Sequence, residues 1–251
     1  MGFLARSASA AEWKVVAKAV STLVEEATFE ASAEGISFRA MDPSHVALID
    51  LFWPNSAFER YECDKQFRFT VRVAEFSKLL GRADAKDSVE VSSSDEGRLT
   101  IKFSNSYTRE FTVNLVESTS QPTPLPKITF NAKLLMTSST FQQILSDISV
   151  VSDHITIEAS KDKVSFAGRS EQGSASATLD RRSPEVLELT LNEPSKATYS
   201  IDYLLNITKA AASNQPMTLE YSTKMPLKLE FKLGEQGGKI AFYLAPRVEE
   251  K

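Results

Sequence analysis

The sequence predicts an α+β protein of two similar domains, each a duplicated β-α-β-β-β unit. Three observations support this prediction: a repeat at a constant offset of 128 residues, the period-two alternation typical of strands, and four short amphipathic helical patterns. The 251 residues are 42% hydrophobic and 25% charged, which is typical of a folded globular chain. This length suits one large domain or two smaller ones, each able to bury a core.

The internal repeat is clearest between residues 28–40 and residues 156–168, which are identical at six of thirteen positions. The same offset pairs Leu99 with Leu227, far along the chain from that segment. Amphipathic segments can resemble one another through patterning alone, but patterning does not require a constant offset. We therefore infer a duplicated domain.

Each half of the chain carries two predicted helices. The first begins with Ser9 as N-cap and Glu12 at the third helical position, a capping box, and buries Trp13. Glu75 and Phe76 repeat the Glu-Trp pair of this helix, which indicates a second, weaker level of duplication within each half. The helices are predicted over residues 10–24, 73–82, 139–150 and 201–212.

A proline-rich segment separates the two halves. Pro122, Pro124 and Pro126 stand at alternate positions, and proline favours extended backbone that cannot pair within a sheet. We therefore predict an N-terminal domain over residues 1–117, a connector over 118–127 and a C-terminal domain over 128–251. The connector is either a passive spacer or an exposed edge that docks a peptide.

Composition excludes several classes of function. With 29 Lys and Arg against 33 Asp and Glu, the net charge is −4, so contact with nucleic acid requires a local basic patch. Cys63 is the only cysteine and there are two histidines, which leaves little for a disulfide, a metal site or a catalytic triad. We predict no catalytic residues, no cofactor and no metal. Without a secretion signal or an apolar run of membrane length, we expect a cytoplasmic protein.

Basic residues recur at helical spacing. Lys14 and Lys18 are four residues apart on the first helix, as Lys78 and Arg82 are on the second, and Lys209 lies on the fourth. Any one pair is compatible with an ordinary solvated face. If the four helices are equivalent, however, their outer faces form one surface that is basic in an acidic chain, which suits the phosphate backbone rather than base recognition.

Three sequence segments identify a resemblance. Residues 38–51 (FRAMDPSHVALIDL), Met225-Pro226-Leu227 and residues 243–248 (YLAPRV) closely resemble signatures of the proliferating cell nuclear antigen (PCNA) family of sliding clamps, in its archaeal type. The similarity extends from Phe3 to Val248.

The resemblance implies a ring of three subunits around duplex DNA, with helices inside and curved antiparallel sheets outside. Such a clamp is not an enzyme. It raises the processivity of DNA polymerase and docks a clamp loader and other replication or repair enzymes through short hydrophobic and aromatic peptides. It would work at the nucleoid, as a homotrimer or as a heterotrimer with paralogues. The competing hypothesis is a DNA-independent peptide-binding module or scaffold that forms no ring.

The resemblance also implies three sets of functional residues. In the set facing DNA, Lys14, Lys78 and Lys209 match positions that are basic in relatives, whereas Lys18 and Arg82 are added by helix geometry more than by motif. The partner-peptide pocket comprises Met41, His45, Val46, Leu48, Leu125, Pro126, Pro226, Tyr243, Ala245 and Pro246. The subunit interface comprises Arg109, Phe111 and Val113 on one strand and Ser174, Ala175, Ser176, Ala177 and Thr178 on another. Thr123 replaces a bulky aliphatic residue common in relatives, and helix three supplies no cation.

Overall fold

A computed structural model describes residues 2–94, 97–117, 123–212 and 214–248 of the chain. They form two compact units. Unit 1 comprises Met1–Pro43, Ile49–Pro124 and Lys232–Ile240, and unit 2 comprises Ser44–Leu48, Leu125–Phe231 and Ala241–Lys251. The predicted connector over 118–127 stays a prediction, because its first five residues lie outside the described residues.

Unit 1 is built on antiparallel strands and two helices. One sheet has the order β5-β1-β7-β8-β9, and a second set of strands has the order β4-β3-β2-β6. Helix α1 spans Ala11–Val20 and helix α2 spans Val73–Leu80. The strands are β1 (Phe3–Ser7), β2 (Glu26–Ser32), β3 (Gly35–Met41), β4 (Ala47–Pro54), β5 (Arg60–Glu62), β6 (Phe67–Arg72), β7 (Ser88–Ser93), β8 (Arg98–Ser104) and β9 (Thr108–Asn114); the first two residues of β4 belong to unit 2.

Unit 2 repeats this architecture. Its strands have the orders β13-β12-β11-β15 and β14-β10-β16-β17-β18. Helix α3 spans Ser138–Ser149 and helix α4 spans Ile201–Thr208. The strands are β10 (Ala132–Thr137), β11 (His154–Ala159), β12 (Lys163–Ser170), β13 (Gly173–Asp180), β14 (Val186–Leu191), β15 (Ser195–Ser200), β16 (Pro216–Tyr221), β17 (Leu227–Leu233) and β18 (Gly238–Leu244); the last two residues of β17 and the first three of β18 belong to unit 1.

The element order confirms the predicted duplication. Each unit contains two successive β-α-β-β-β copies, and α2 and α4 begin 128 residues apart, at Val73 and Ile201. Strands β5 and β14 stand outside these copies and were not predicted. Each pairs antiparallel with the first strand of its own unit, β5 with β1 and β14 with β10. They therefore occupy equivalent places in the two units.

Hydrogen bonds between side chains repeat along with the backbone. The hydroxyls of Thr28 and Thr70 lie 2.9 Å apart between β2 and β6, and those of Thr156 and Thr198 lie 2.8 Å apart between β11 and β15. Both members of the second pair follow those of the first by 128 residues. These cross-strand pairs fix the register of equivalent strands.

Helix termini differ from the sequence prediction. Helix α1 ends at Val20 rather than near residue 24, and α4 ends at Thr208 rather than near residue 212. The predicted capping box is wrong by one position, because Ala10 is the N-cap of α1. The Ser9 hydroxyl accepts a hydrogen bond from the Ala11 N–H at 3.2 Å, just ahead of the helix. At the C-terminal ends, the apolar periodicity in the sequence extends past the last helical residue into the turn that follows, which is why the predicted helices are too long.

The helices pack on the sheets through large apolar side chains. In unit 1 the Trp13 ring meets Trp53 edge-on at 4.8 Å and donates its indole N–H to the Ser7 hydroxyl at 3.1 Å. In unit 2 Phe141 of α3 lies 6.0 Å from Phe166 of β12. Phe141 is the repeat counterpart of Trp13, so one core position orients both first helices. The opposite faces of these helices are left to carry polar side chains.

Candidate nucleic-acid and peptide interfaces

Exposed cations gather on the helices of unit 1. Lys14 and Lys18 are exposed on α1, and Lys78 is exposed on α2. Arg82 is also exposed, but it follows α2 instead of lying on it, because that helix ends at Leu80. Within the described residues none of these four side chains takes part in an ion pair. Their charges are therefore available to an external anion.

Lys14 also ties the two helices of unit 1 together. Its Nζ donates to the carbonyl oxygen of Ala83, in the turn after α2, at 2.9 Å. In unit 2 the Gln142 amide of α3 donates to the carbonyl oxygen of Thr208, at the end of α4, at 2.7 Å. Gln142 is the repeat counterpart of Lys14. The second unit thus keeps a helix-to-helix hydrogen bond and loses the positive charge.

Lys209 is the one predicted DNA-facing residue in unit 2. It is the C-cap of α4 instead of a residue within the helix, is exposed, and donates from Nζ to Asn206 Oδ1 at 3.3 Å. Helix α3 exposes Gln143, whose amide donates to Asp147 Oδ1 at 2.8 Å. Cations near helix C-termini also interact favourably with the helix dipole, by about 0.3–1 kcal/mol each. The position of Lys209 at a helix C-terminus is therefore explained by helix stability as well as by contact with DNA.

The C-terminal segment of unit 2 is fixed by backbone hydrogen bonds beside several predicted pocket residues. The Ala245 N–H donates to the carbonyl oxygen of Val46 at 2.9 Å, and the Arg247 N–H donates to that of Thr198 on β15 at 2.8 Å. His45, next to Val46, has a φ of 59°, which lies in the left-handed region. A tight turn and the chain end are thus brought together, an arrangement that the sequence could not show.

The loop before Pro226 is held by a buried phenol. Tyr199 of β15 donates its hydroxyl to the carbonyl oxygen of Met225 at 2.8 Å. Burial raises the pKa of Tyr199 above the usual tyrosine range, so the hydroxyl remains a donor at physiological pH. Tyr199 therefore fixes the backbone that presents Pro226, and sequence analysis had not singled it out.

The predicted pocket residues differ in exposure. His45 and Leu125 are exposed, whereas Leu48 is 3% exposed and belongs to the core of β4. Met41, in unit 1, is exposed. The remaining members are half-buried, which suits walls that accept an apolar anchor: Val46, Pro126, Pro226, Tyr243, Ala245 and Pro246. Thr123, in unit 1, accepts a hydrogen bond from Arg39 at 3.4 Å through its carbonyl oxygen.

The two predicted interface strands lie at sheet edges. Each pairs with one neighbour in the described part of the chain, β9 with β8 and β13 with β12. No residue of either strand is buried, although Phe111, Val113, Ala175 and Ala177 are half-buried. An edge strand presents a row of unpaired backbone N–H and C=O groups, with which a strand of another chain can pair.

Arg109 departs from this pattern, because its side chain is engaged inside unit 1. The guanidinium forms an ion pair with buried Asp87 and donates to the carbonyl oxygen of Arg82 at 3.0 Å. It also lies 5.5 Å from the ring centres of Phe103 and Tyr107. These contacts hold the turn after α2 against β9, a role that the sequence analysis missed because it assigned Arg109 to the interface alone.

Two classes of site have no candidate in the described residues. Among them no group of three or more His, Cys, Asp or Glu residues is placed to hold a metal ion. No helix in the same described ranges is long and apolar enough to span a membrane.

Family models match nearly the whole chain. The PCNA N-terminal domain model covers residues 3–118, and the PCNA C-terminal domain model covers residues 124–247. The chain is 47% identical to the DNA polymerase sliding clamp of Nitrosopumilus maritimus, over 99% of this chain and 100% of that protein. It is 45% identical to that of Cenarchaeum symbiosum, over 99% of both proteins.

Solved structures give the same fold. PCNA from Thermococcus kodakaraensis matches with a TM-score of 0.94 at 24% identity, over 98% of this chain and 100% of that one. The structure described as the C-terminal region of FEN-1 bound to A. fulgidus PCNA matches with a TM-score of 0.90 at 25% identity, over 99% of this chain and 100% of that one.

Proposed function

The chain belongs to the PCNA family and is a DNA polymerase sliding clamp, not an enzyme; from this premise we propose that three copies form a ring that is held on duplex DNA by topology. The observation that carries the proposal is the set of exposed cations on or just after the helices of unit 1, none of which takes part in an ion pair within the described residues: Lys14, Lys18, Lys78 and Arg82. In a chain of net charge −4, such a set is the feature that suits a phosphate backbone.

The proposed DNA contact is sequence-independent. Lysine and arginine on helix faces bind phosphates without reading base edges, so the clamp slides along any duplex. Together with Lys209, five cations of each subunit would face DNA. Unit 2 contributes fewer of them than unit 1, because Gln142 and Ser146 stand at the positions equivalent to Lys14 and Lys18. We therefore propose a contact that is weak and strongly dependent on salt concentration. The protein works where duplex DNA is, at the nucleoid.

We also propose that clients dock through short apolar and aromatic peptides on unit 2. A relative at 25% identity is described as binding the C-terminal region of FEN-1, which supports a peptide site in this chain. The half-buried apolar residues beside the C-terminal segment, among them Tyr243, Ala245 and Pro246, supply walls for such anchors. DNA polymerase, the clamp loader and repair enzymes are the proposed partners.

The proposed ring closes by pairing β9 of one subunit with β13 of the next. This contact is head-to-tail, and such contacts generate a closed ring when the rotation fits. Small side chains on β13, from Ser174 to Thr178, allow close approach of the two backbones. The three subunits are copies of this chain or include paralogues, and native mass measured alone and with sister chains distinguishes these assemblies.

Charge reversal tests the DNA-facing assignment. We expect the triple substitution Lys14→Glu, Lys78→Glu and Lys209→Glu to abolish most stimulation of the cognate polymerase on primed circular DNA, because three attractive phosphate contacts per subunit become repulsive. The measurement is product length with and without clamp. A matched control reverses three exposed lysines outside the helices, Lys65, Lys163 and Lys239, with the same change in net charge.

Stimulation that survives the helix triple substitution would overturn the DNA-facing assignment. It would favour a peptide-binding module that needs no DNA. Equal losses in the test and control proteins would assign the effect to overall charge and not to the helix faces.

A further inference from the structure

The C-terminal segment Ala245–Arg247 is attached to unit 2 by one side-chain cluster in addition to its backbone. Arg247 Nη1 lies 2.8 Å from His154 Nδ1, at the start of β11. The same guanidinium lies 3.8 Å from a carboxylate oxygen of Asp153, and the other carboxylate oxygen contacts His154 Nδ1 directly. The side chains of Asp153, His154 and Arg247 thus meet directly after Pro246.

The His154 ring nitrogen Nδ1 has two partners that require opposite protonation states. Arginine is always a donor, so the contact with Arg247 requires an unprotonated Nδ1 that accepts, with the ring proton on Nε2. The contact with Asp153 requires a protonated Nδ1 that donates to the carboxylate. A single nitrogen satisfies one partner at a time, so the charge on the ring decides which contact forms.

We propose that His154 and Arg247 are positioning residues of the peptide site, forming with Asp153 a protonation-dependent latch on the segment Ala245–Arg247. The inference rests on the proposed function, since that segment supplies part of the proposed peptide pocket. With neutral His154, Arg247 is held at both its backbone, by Thr198, and its side chain. With protonated His154, Arg247 loses an acceptor and faces a like charge, while Asp153 turns to the imidazolium.

Little else charged touches the imidazole. Opposite His154 on β15 stands Ser200, and on β12 the antiparallel register, continued past the pair Thr156 and Ala167, places the exposed Arg169 level with His154. The charged contacts that the described residues give to the ring are those with Asp153 and Arg247. Asp153 is 79% exposed and Arg247 is 54% exposed, so solvent weakens both contacts and the latch is a modest one.

The sign of the pH effect follows from the partners. The latched state favours neutral His154, because Arg247 needs an unprotonated Nδ1 as acceptor, so protonation of the ring weakens latching and acidification acts in that direction. A surface contact of this kind is worth about two- to fivefold in an equilibrium. Peptide binding that needs the latched segment should weaken by about the same factor.

Amide hydrogen exchange tests the latch without any peptide. The Arg247 amide reports segment docking because it donates to Thr198. After correction for intrinsic exchange, we expect its protection to fall about two- to fivefold between pH 7.5 and pH 5.5 in the wild type. Arg247→Ala should show low protection at both values. His154→Gln should show no pH dependence, since an amide oxygen accepts from Arg247 throughout the range.

Two control variants separate the latch from other effects. Arg181→Ala removes an exposed arginine of unit 2 that bonds instead to the carbonyl oxygen of Lys161, and it should keep the wild-type profile. His45→Gln removes the other histidine of the chain, and the Arg247 amide should still lose protection at low pH.

Titration with the C-terminal peptide of A. fulgidus FEN-1 completes the test. We expect the affinity of the wild type for the peptide to fall as the pH is lowered, in step with the protection of the Arg247 amide. Arg247→Ala should bind the peptide about two- to fivefold more weakly than the wild type at pH 7.5. The affinity of His154→Gln should depend less on pH than that of the wild type. Normal binding at pH 7.5 with unchanged affinity in Arg247→Ala overturns the latch alone. A wild type that binds no such peptide overturns the proposed pocket, and with it this positioning role.

Discussion

Lys14 and Gln142 show how a single residue divides the two units. Both side chains donate to a carbonyl group near the end of the neighbouring helix, Ala83 after α2 and Thr208 at the end of α4, so both tie the two helices of a unit together. Only Lys14 adds a charge. Either residue can form the hydrogen bond between the two helices of its unit. The charge of Lys14 is specific to unit 1, where it serves the proposed DNA contact.

Gly35 is required by its turn and by a close approach. Its φ is +145°, and an added Cβ would lie 2.2 Å from the carbonyl oxygen of Trp53. We expect Gly35→Ala to lower the free energy of unfolding by about 3 kcal/mol, combining backbone strain with steric overlap. Urea denaturation of the wild type and the variant measures this difference in the free energy of unfolding. Gly237→Ala, at φ +85° with no atom within 4 Å of the added Cβ, should cost about 1 kcal/mol. Equal losses would exclude the overlap with Trp53.

Tyr243 is the half-buried aromatic residue of the proposed pocket. We expect Tyr243→Ala to weaken binding of the A. fulgidus FEN-1 C-terminal peptide about tenfold or more, because buried tyrosines in such sites carry a large share of binding energy. Pro246→Ala should act in the same direction. Calorimetric titration measures both, with Leu187→Ala, half-exposed on β14, as the control. Unchanged affinity in Tyr243→Ala would remove it from the pocket.

At the scale of elements, the sheets were better predicted than the helix ends. Period-two alternation located strands such as β8 and β17 because one face of each is buried, and every second residue reports that burial. Helices α1 and α4 ended earlier than their apolar patterns because the following turn also buries apolar residues, Leu23 in one case and Ala210 in the other. Strands β5 and β14 escaped prediction because both are edge strands with at most one buried residue, so burial leaves no period-two pattern in their sequence.

The edge strands predict how assembly fails. We expect the wild type to have a native mass near three times 27.8 kDa, measured by light scattering alone or with any sister chains. Val113→Lys should reduce it to the single-chain mass, because a lysine replaces a half-buried side chain on the edge of β9. Thr112→Lys, on the exposed face of the same strand, should keep the assembly. If the wild type is monomeric both alone and in the presence of sister chains, the proposed ring is wrong.

At the scale of the whole molecule, net charge and local charge act in opposite directions. The chain is acidic overall, which opposes tight binding to DNA, while the proposed DNA-facing cations, which form no ion pair within the described residues, would attract phosphates over a short range. These opposite effects support the proposal that the ring holds DNA by enclosing it and not by affinity.

This balance predicts different behaviour on circular and linear DNA. Once loaded on a nicked circle, the clamp should remain bound at physiological salt and should be lost when one cut makes the DNA linear, because the ring slides off the end. On linear DNA alone we expect weak binding that falls steeply with salt. Gel filtration before and after cutting measures retention. Equal retention on the cut DNA would indicate binding by affinity and contradict the topological account.

The sequence by itself determined the duplicated fold, the family and the apolar core, because these depend on periodic burial that local patterns record along the whole chain. Tertiary structure alone decided which polar side chains meet. The contact of Arg247 with His154, the donation from Tyr199 to Met225 and the engagement of Arg109 by Asp87 join residues far apart in the chain. Such contacts depend on distance and direction in space, and residue type and spacing carry neither.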